Sequence, residues 1–289
     1  MGKLKILVTG KDGQLGYALQ ELSENQFEFT WKFTDRSELD ITDLIKTQSV
    51  LKQFQPDWII NTAAYTDVDG AESNEEIAYK VNADGPYILA KSAKEIGAKL
   101  VHISTDYVFD GTKKKPYSEN DKPNPLQVYG KSKLKGELLI QDTSITGFII
   151  RTSWVYGNHG KNFVNTILKL AKTKNEIQVI DDQFGSPTYV NDLAEIILNL
   201  ILNSTLTNLD LIHYSNKGGV SWYEFAKYII KLKNQSCIIK KISTEDFGQI
   251  SKRPHFSELD LNKIQKKYSI YTKNWNESIN QYMNNLNDC

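Results

Sequence analysis

Tyr129 and Lys133 stand four residues apart, the spacing that puts two side chains on one face of a helix. An ammonium beside a phenol favours the phenolate and lowers the phenol pKa from about 10 toward the working range. Such a tyrosine gives its proton to a carbonyl oxygen as hydride reaches the carbon, and the lysine can hydrogen-bond a nicotinamide ribose. Thr105, upstream, offers a hydroxyl to the same carbonyl or to the phenol. Spacing alone decides nothing. The chain has 15 Tyr and, once Arg36, Arg151 and Arg253 are set aside from the 35 basic residues, 32 Lys. Roughly 1.7 Tyr-x-x-x-Lys pairs then arise by chance. Three occur: Tyr87/Lys91, Tyr129/Lys133 and Tyr223/Lys227. Tyr87 falls inside a helical stretch, and Tyr223 is far along the chain. Tyr129 opens a helix just after a strand and its loop, where the carboxyl ends of parallel strands form ligand crevices.

A second constellation lies at the start. The apolar run Lys5–Thr9 is followed by Gly10, Gly13 and Gly16 and then by a helical pattern. Glycines between a first strand and a first helix let the backbone turn tightly and approach a pyrophosphate, which meets the free N–H groups of the helix N-terminus. About 20 residues on, Asp35 suits the hydroxyls of an adenosine ribose. Its neighbour Arg36, or Lys11 within the turn, suits a 2′-phosphate instead, so NADH and NADPH both remain open as cofactor.

The elements that must hold these residues alternate. Strands are expected at Lys5–Thr9, Phe29–Thr34, Asp57–Asn61, Leu100–Ser104 and Phe148–Arg151, with helices between, one spanning Glu75–Ile96 and stopped by Gly97. That alternation predicts an α/β, doubly wound parallel sheet. The segment Gly111–Pro125 reads as a surface loop reaching toward the site. The second half is less regular, with strands at Ile177–Ile180 and Leu211–Ser215, a helix over Asn191–Leu202 and a capping box at Ser221–Glu224. It predicts a smaller mixed α/β domain for substrate. The dinucleotide-binding domain is expected to take residues 1–153 and about 187–207, and the substrate domain about 154–186 and 208–289.

Composition excludes other classes. Lys plus Arg equals Asp plus Glu at 35 each, so no global charge draws the chain to nucleic acid or lipid. No apolar run reaches membrane-spanning length. Two cysteines, Cys237 and Cys289, fit a reducing cytoplasm rather than a disulfide scaffold. The four histidines are scattered without metal-ligand spacing, and no metal is expected.

The chain resembles the extended short-chain dehydrogenase/reductases, and within them the dTDP-4-dehydrorhamnose reductase branch. The matching stretches are Gly10–Gly16, Asn61–Asp69 with Ala71-Glu72, Ser104–Gly111, Pro125–Lys133, Arg151–Tyr156 and Gly185–Thr188, in order from the start to about residue 260. The resemblance implies a Rossmann domain and Thr105, Tyr129 and Lys133 as the catalytic set. It implies cofactor contacts at Gly13, Gln14 and Leu15 on the pyrophosphate, beside Gly10 and Gly16. Asp35, Arg36, Asp40 and Ile41 would line the adenosine half. Ala63, Ala64, Tyr65 and Thr66 would lie on the nicotinamide side. Substrate would meet Val68, Thr105, Asp106, Trp154 and Asn162, with Arg253 pairing with the nucleotide diphosphate.

The implied reaction is NAD(P)H-dependent reduction of the C4 keto group of dTDP-4-dehydro-6-deoxy-L-mannose. The implied protein is cytoplasmic, a monomer or weak homodimer. Some relatives hold magnesium between subunits through glutamates, one on the first helix, but the matching position here is Ala18, which cannot ligate. The block Pro254–Asp260 also departs from the usual Asn-Ser-x-Leu pattern. Two rivals stand beside this reading. One is another nucleotide-sugar 4-ketoreductase, an epimerase or a dehydratase on the same fold, although dehydratases carry Asp-Glu after the catalytic Thr where this chain has Asp106-Tyr107. The other is a non-catalytic regulatory subunit related to the family.

Overall fold

The computed structural model describes residues 2–286. Its first half runs β1 (Leu4–Thr9), α1 (Gln14–Ser23), β2 (Phe29–Thr34), α2 (Leu44–Phe54), β3 (Trp58–Asn61), α3 (Val68–Ser73), α4 (Glu75–Tyr79), a π-helical turn (Lys80–Asp84), α5 (Gly85–Glu95), β4 (Lys99–Thr105), α6 (Val128–Asp142) and β5 (Gly147–Thr152). The second half runs β6 (Val155–Tyr156), α7 (Phe163–Ala171), β7 (Glu176–Ile180), β8 (Phe184–Gly185), β9 (Thr188–Tyr189), α8 (Val190–Asn203), β10 (Leu209–His213), β11 (Val220–Ser221), α9 (Trp222–Leu232), β12 (Ile238–Ile242), α10 (Thr244–Phe247), α11 (Asn262–Tyr268) and α12 (Trp275–Asn285).

Six strands form one parallel sheet in the order β10-β5-β4-β3-β1-β2. The strand order reverses between β1 and β3, and an open parallel sheet binds its ligand at the carboxyl ends of the strands beside such a reversal. This is the doubly wound Rossmann layout the alternation predicts. Its strands are apolar nearly throughout because helices cover both faces. Ile6, Val8, Trp58, Ile60, Val101, Phe148 and Ile150 pack toward α1 and α8. Leu7, Ile59, Leu100 and Ile149 pack toward α2 and α5. Each such aliphatic side chain contributes about 1.5–3 kcal/mol by leaving water. A second core, including Tyr156, Val164, Ile177, Tyr189, Phe225, Ile229 and Tyr282, holds the smaller unit together.

Four expectations change in detail. The boundary at residue 208 cuts off part of the large layer. β10 pairs with β5 as the sixth strand, and Leu259, Leu261, Ile264 and Ile270 return to the core beneath α1 and α8. The chain therefore crosses twice more than the sequence boundaries allow, going back to the large core at Leu259–Ile270 and returning to the smaller one at Ile279–Met283. The segment Gly111–Pro125 supplies no wall of the cleft described below. Tyr117 is buried and exchanges backbone hydrogen bonds with Glu258 and Asp260, and the left-handed Gly111 packs on Pro254. The loop is a strap between the two halves of the chain. The helix expected over Glu75–Ile96 is observed as α4, the π-helical turn at Lys80–Asp84 and α5 in succession. Ser221 caps α9 from one side only, its hydroxyl accepting from the Glu224 amide. Cys237 is buried, and Cys289 lies outside the described residues.

Candidate active site

A cleft of about 1040 Å³ runs along the carboxyl ends of β1, β3, β4 and β5. Its walls include Gly10, Gly13, Gln14, Leu15, Asp35, Arg36, Asp40, Ile41, Ala63, Ala64, Tyr65, Thr66, Val68, Thr105, Asp106, Tyr129, Lys133 and Trp154. Three residues expected at the site do not line it: Gly16, Asn162 and Arg253. Gly16 lies one turn into α1, where an added Cβ would sit 2.3 Å from the Gly10 carbonyl oxygen. It lets helix and turn approach. Asn162 caps α7 and hydrogen-bonds Gln14 and the Gly157 carbonyl. Arg253 pairs with Asp69 at 2.9 Å.

The glycine turn suits a dinucleotide. Gly10 has φ +74°, and a Cβ there would lie 2.8 Å from the Ala63 nitrogen. Gly13, at the N-terminus of α1, has an ordinary φ of −80°, and a Cβ there would meet only the Gly10 oxygen, at 3.3 Å. Gly10 therefore serves the fold, while Gly13 leaves open space over the helix N-terminus where a pyrophosphate would lie.

At the adenosine end, Lys11 is held by two carboxylates, Asp35 at 3.0 Å and Glu38 at 2.6 Å. Ser37 and then Lys11 hold the Asp35 carboxyl well below the usual range. Arg36 is exposed and pairs with Asp40 at 3.3 Å. Glu38 is a partner the sequence reading missed. Its only signal was its place three residues after Asp35, facing Lys11 across the turn.

On the opposite side, Thr105 ends β4 and Tyr129 lies in the first turn of α6, whose N-cap is Gln127. The Thr105 hydroxyl donates to Asp106 at 3.1 Å and accepts from the Tyr107 amide at 3.1 Å, and it lines the same cleft as the Tyr129 phenol. Lys133 is buried, its ammonium donating to the Ile103 carbonyl at 2.6 Å with His102 Nε2 at 3.3 Å. One expectation is corrected here. Tyr129 is not acidified by Lys133: burial pushes its pKa up to about 12. Burial also pushes Lys133 down to about 8. Loss of water disfavours both charged forms. The phenol therefore holds its proton until a stronger base, such as a developing alkoxide, takes it. Burial likewise raises Asp106 to about 7, against a hydrogen bond from Thr105 that pulls it down.

Two further groups complete the walls. Trp154 adopts a left-handed φ of 47° after β5, which lays its indole on Trp222, the first residue of α9, with ring centroids 3.3 Å apart. Gly185 is bare because a Cβ there would lie 2.6 Å from the Trp154 ring. Trp222 had no sequence signal beyond its place after an N-cap serine. Asn82, in the π-helical turn, is fully buried. Its carboxamide accepts from the Tyr65 amide at 2.8 Å and donates to the Tyr65 carbonyl and to Ser132, each at 3.0 Å. One side chain thus ties the Ala63–Thr66 segment to the helix carrying Tyr129. The signal was a polar residue in the middle of an otherwise packed helix.

A family model described as the RmlD substrate binding domain matches residues 4–288. The chain belongs to the RmlD family. Among RmlD relatives, the spore coat polysaccharide biosynthesis protein SpsK of Bacillus subtilis is 41% identical over 280 residues, covering 96% of each chain. The dTDP-4-dehydrorhamnose reductase of Aggregatibacter actinomycetemcomitans is 39% identical, covering 95% of this chain and 97% of its own. The crystal structure of dTDP-4-dehydrorhamnose reductase from Bacillus anthracis, in complex with NADP, superposes with a TM-score of 0.94 at 40% identity, covering 99% of this chain and 100% of that one. A UDP-glucose 4-epimerase from Thermotoga maritima, 18% identical at a TM-score of 0.81, shares the fold alone.

Proposed function

We propose that this RmlD family member is an NAD(P)H-dependent dTDP-4-dehydrorhamnose reductase, an oxidoreductase that converts the C4 ketone of dTDP-4-dehydro-6-deoxy-L-mannose to the alcohol of dTDP-L-rhamnose. The observation that carries the reading is one cleft that joins the glycine turn, at the reversal of the sheet, to Thr105, Tyr129 and Lys133. Full-length similarity to reductases of that name supports the substrate.

When bound, NADPH or NADH supplies the hydride, and the NADP complex of the Bacillus anthracis relative supports a phosphorylated cofactor. The chain's own groups do the rest. Gly13, Gln14 and Leu15 would seat the pyrophosphate, on a turn whose shape Gly10 sets. Asp35, Arg36, Asp40 and Ile41 would seat the adenosine half. Ala63 to Thr66, fixed by Asn82, would flank the nicotinamide. Thr105 orients the substrate carbonyl, and Tyr129 gives its proton to the carbonyl oxygen as the C4–H bond forms. The carbonyl π bond breaks, and its electron pair takes up that proton. Lys133, one helical turn further along α6, would hydrogen-bond the cofactor ribose. Trp154, backed by Trp222, offers an apolar face to the sugar, with Val68 and Asp106 beside it. Arg253, once Asp69 releases it, and Asn162 would meet the nucleotide diphosphate.

No helix among the described residues is long and apolar enough to cross a membrane. The low cysteine count fits a reducing cytoplasm, and the enzyme is proposed to act there on a nucleotide sugar as a monomer or weak homodimer. The test is oxidation of NADPH and of NADH by the purified protein with freshly made dTDP-4-dehydro-6-deoxy-L-mannose, with rhamnose identified in the product. A protein that binds the cofactor but reduces neither this sugar nor its isomers overturns the reading.

A further inference from the structure

The strands of a parallel sheet covered on both faces are normally apolar, yet toward its carboxyl end four neighbouring strands here carry a buried polar residue at one level, beginning with Thr34 on β2, which is in register with Thr9. Thr9 on β1 is in register with Asn61 on β3, and Asn61 with His102 on β4. All three are buried, His102 completely. Their hydrogen bonds run in one direction. The Thr9 hydroxyl donates to Asn61 Oδ1 at 2.7 Å, which turns the amide nitrogen of Asn61 toward His102 Nδ1 at 3.0 Å. A ring nitrogen that accepts leaves the proton of a neutral imidazole on the other one. That other nitrogen, Nε2, faces Lys133 Nζ at 3.3 Å. An Nε2–H finds a partner in the lone pair of an amine and finds none in an ammonium.

We propose that His102 is a positioning residue for the reduction, its Nε2–H donating to Lys133 Nζ and so favouring the amine form of that lysine, which lies one helical turn after Tyr129 and lines the same cleft. The row Thr9–Asn61–His102 fixes the tautomer that makes this possible. Burial acts in the same direction on both partners, holding His102 neutral and Lys133 at about 8. The groups facing Lys133 are few. Glu137 on its own helix raises its pKa but is itself engaged by Arg151 from β5 at 2.6 Å and by Ser104 from β4 at 2.5 Å. Tyr129, on the same helix, is uncharged, and His102 faces it from β4. A lysine poised between its two forms can return a proton to the Tyr129 phenolate left by each turnover and be reprotonated in the working pH range, which an ordinary lysine does less readily.

The inference rests on the reductase reading for its kinetic test but not for its spectroscopic one. In the wild-type protein labelled with ¹⁵N-histidine, the ring shifts of His102 are expected to show the proton on Nε2, and a proton on Nδ1 or a charged ring overturns the proposal. For kinetics, His102→Asn keeps the link to Asn61 but falls short of Lys133, whereas the longer His102→Gln returns a donor near the Nε2 position. His102→Asn is expected to lower kcat about tenfold and to move the alkaline limb of its pH profile upward, with the KM of cofactor and sugar within about twofold. His102→Gln is expected to restore most of both. A profile unmoved or moved downward in His102→Asn, with wild-type turnover intact, overturns the inference. An inactive wild type instead removes the reductase reading.

Discussion

Alanine at each of the three glycines of the first turn should separate folding from cofactor binding. At Gly10 the left-handed φ of +74° costs a side chain about 1–2 kcal/mol. The new methyl would also press on the Ala63 backbone at 2.8 Å, and overpacking of this kind adds about 1–3 kcal/mol. The expected loss is therefore about 2–5 kcal/mol. At Gly16 the methyl would lie 2.3 Å from the Gly10 oxygen and 2.7 Å from Lys11 Cα, both backbone atoms that cannot swing aside. Overpacking there, again about 1–3 kcal/mol, is offset by about 1 kcal/mol of helix propensity, so the net loss is about 0–2 kcal/mol. At Gly13 the φ of −80° suits alanine and the one close atom is 3.3 Å away, so stability should hold within about 1 kcal/mol. The methyl at Gly13 would instead occupy the approach to the α1 N-terminus, and a diphosphate lifted from those amides should bind about 10–100-fold more weakly, a loss of about 1.4–2.8 kcal/mol. Urea unfolding at constant slope reads the first quantity, and titration of NADPH fluorescence reads the second. If Gly13→Ala bound the cofactor like wild type, or Gly10→Ala proved as stable as Gly13→Ala, the division of roles among these glycines would be wrong.

Tyr129→Phe keeps the ring packed against Val128, Ala71 and Ala78 and removes only the proton donor. It should leave the melting temperature nearly unchanged and lower kcat about 10²–10⁴-fold, measured by cofactor oxidation; near-normal turnover would reject Tyr129 as the acid. Asp106 holds its proton more tightly folded than unfolded, at about 7 against 3.8. The fold therefore binds the extra proton between those values, and stability falls as pH rises through them. The wild type should lose about 3 kcal/mol between about pH 5 and pH 8, and Asp106→Asn should flatten that dependence in urea titrations. An unchanged slope would show that Asp106 ionises freely. Asn82→Ala strips the Tyr65 amide and carbonyl of their partner. It should cost about 1–3 kcal/mol of stability and loosen cofactor binding more than sugar binding, a split that steady-state kinetics with each ligand varied would reveal.

The amino-acid sequence by itself determined the local devices. Apolar runs with glycine at the turn specify β1 and α1. The strand–helix alternation specifies a parallel sheet, and the four-residue step from Tyr129 to Lys133 specifies a shared helix face. Each is a matter of backbone geometry over a few neighbouring residues, and periodicity reports it directly. What only the tertiary structure decided depends on residues far apart in the chain. β10 joins β5 because an edge strand was open, which no feature of residues 209–213 announces. Asn82, Trp222 and Glu38 take their roles from partners 17, 68 and 27 positions away, at Tyr65, Trp154 and Lys11. The ionisation of the site was the least legible part. Proximity in sequence suggested a phenol made acidic by its lysine, whereas enclosure by β4, α6 and the loop after β3 removes the water that charge requires. A pKa is set by the dielectric of a whole neighbourhood, and a neighbourhood exists only once the sheet has been assembled.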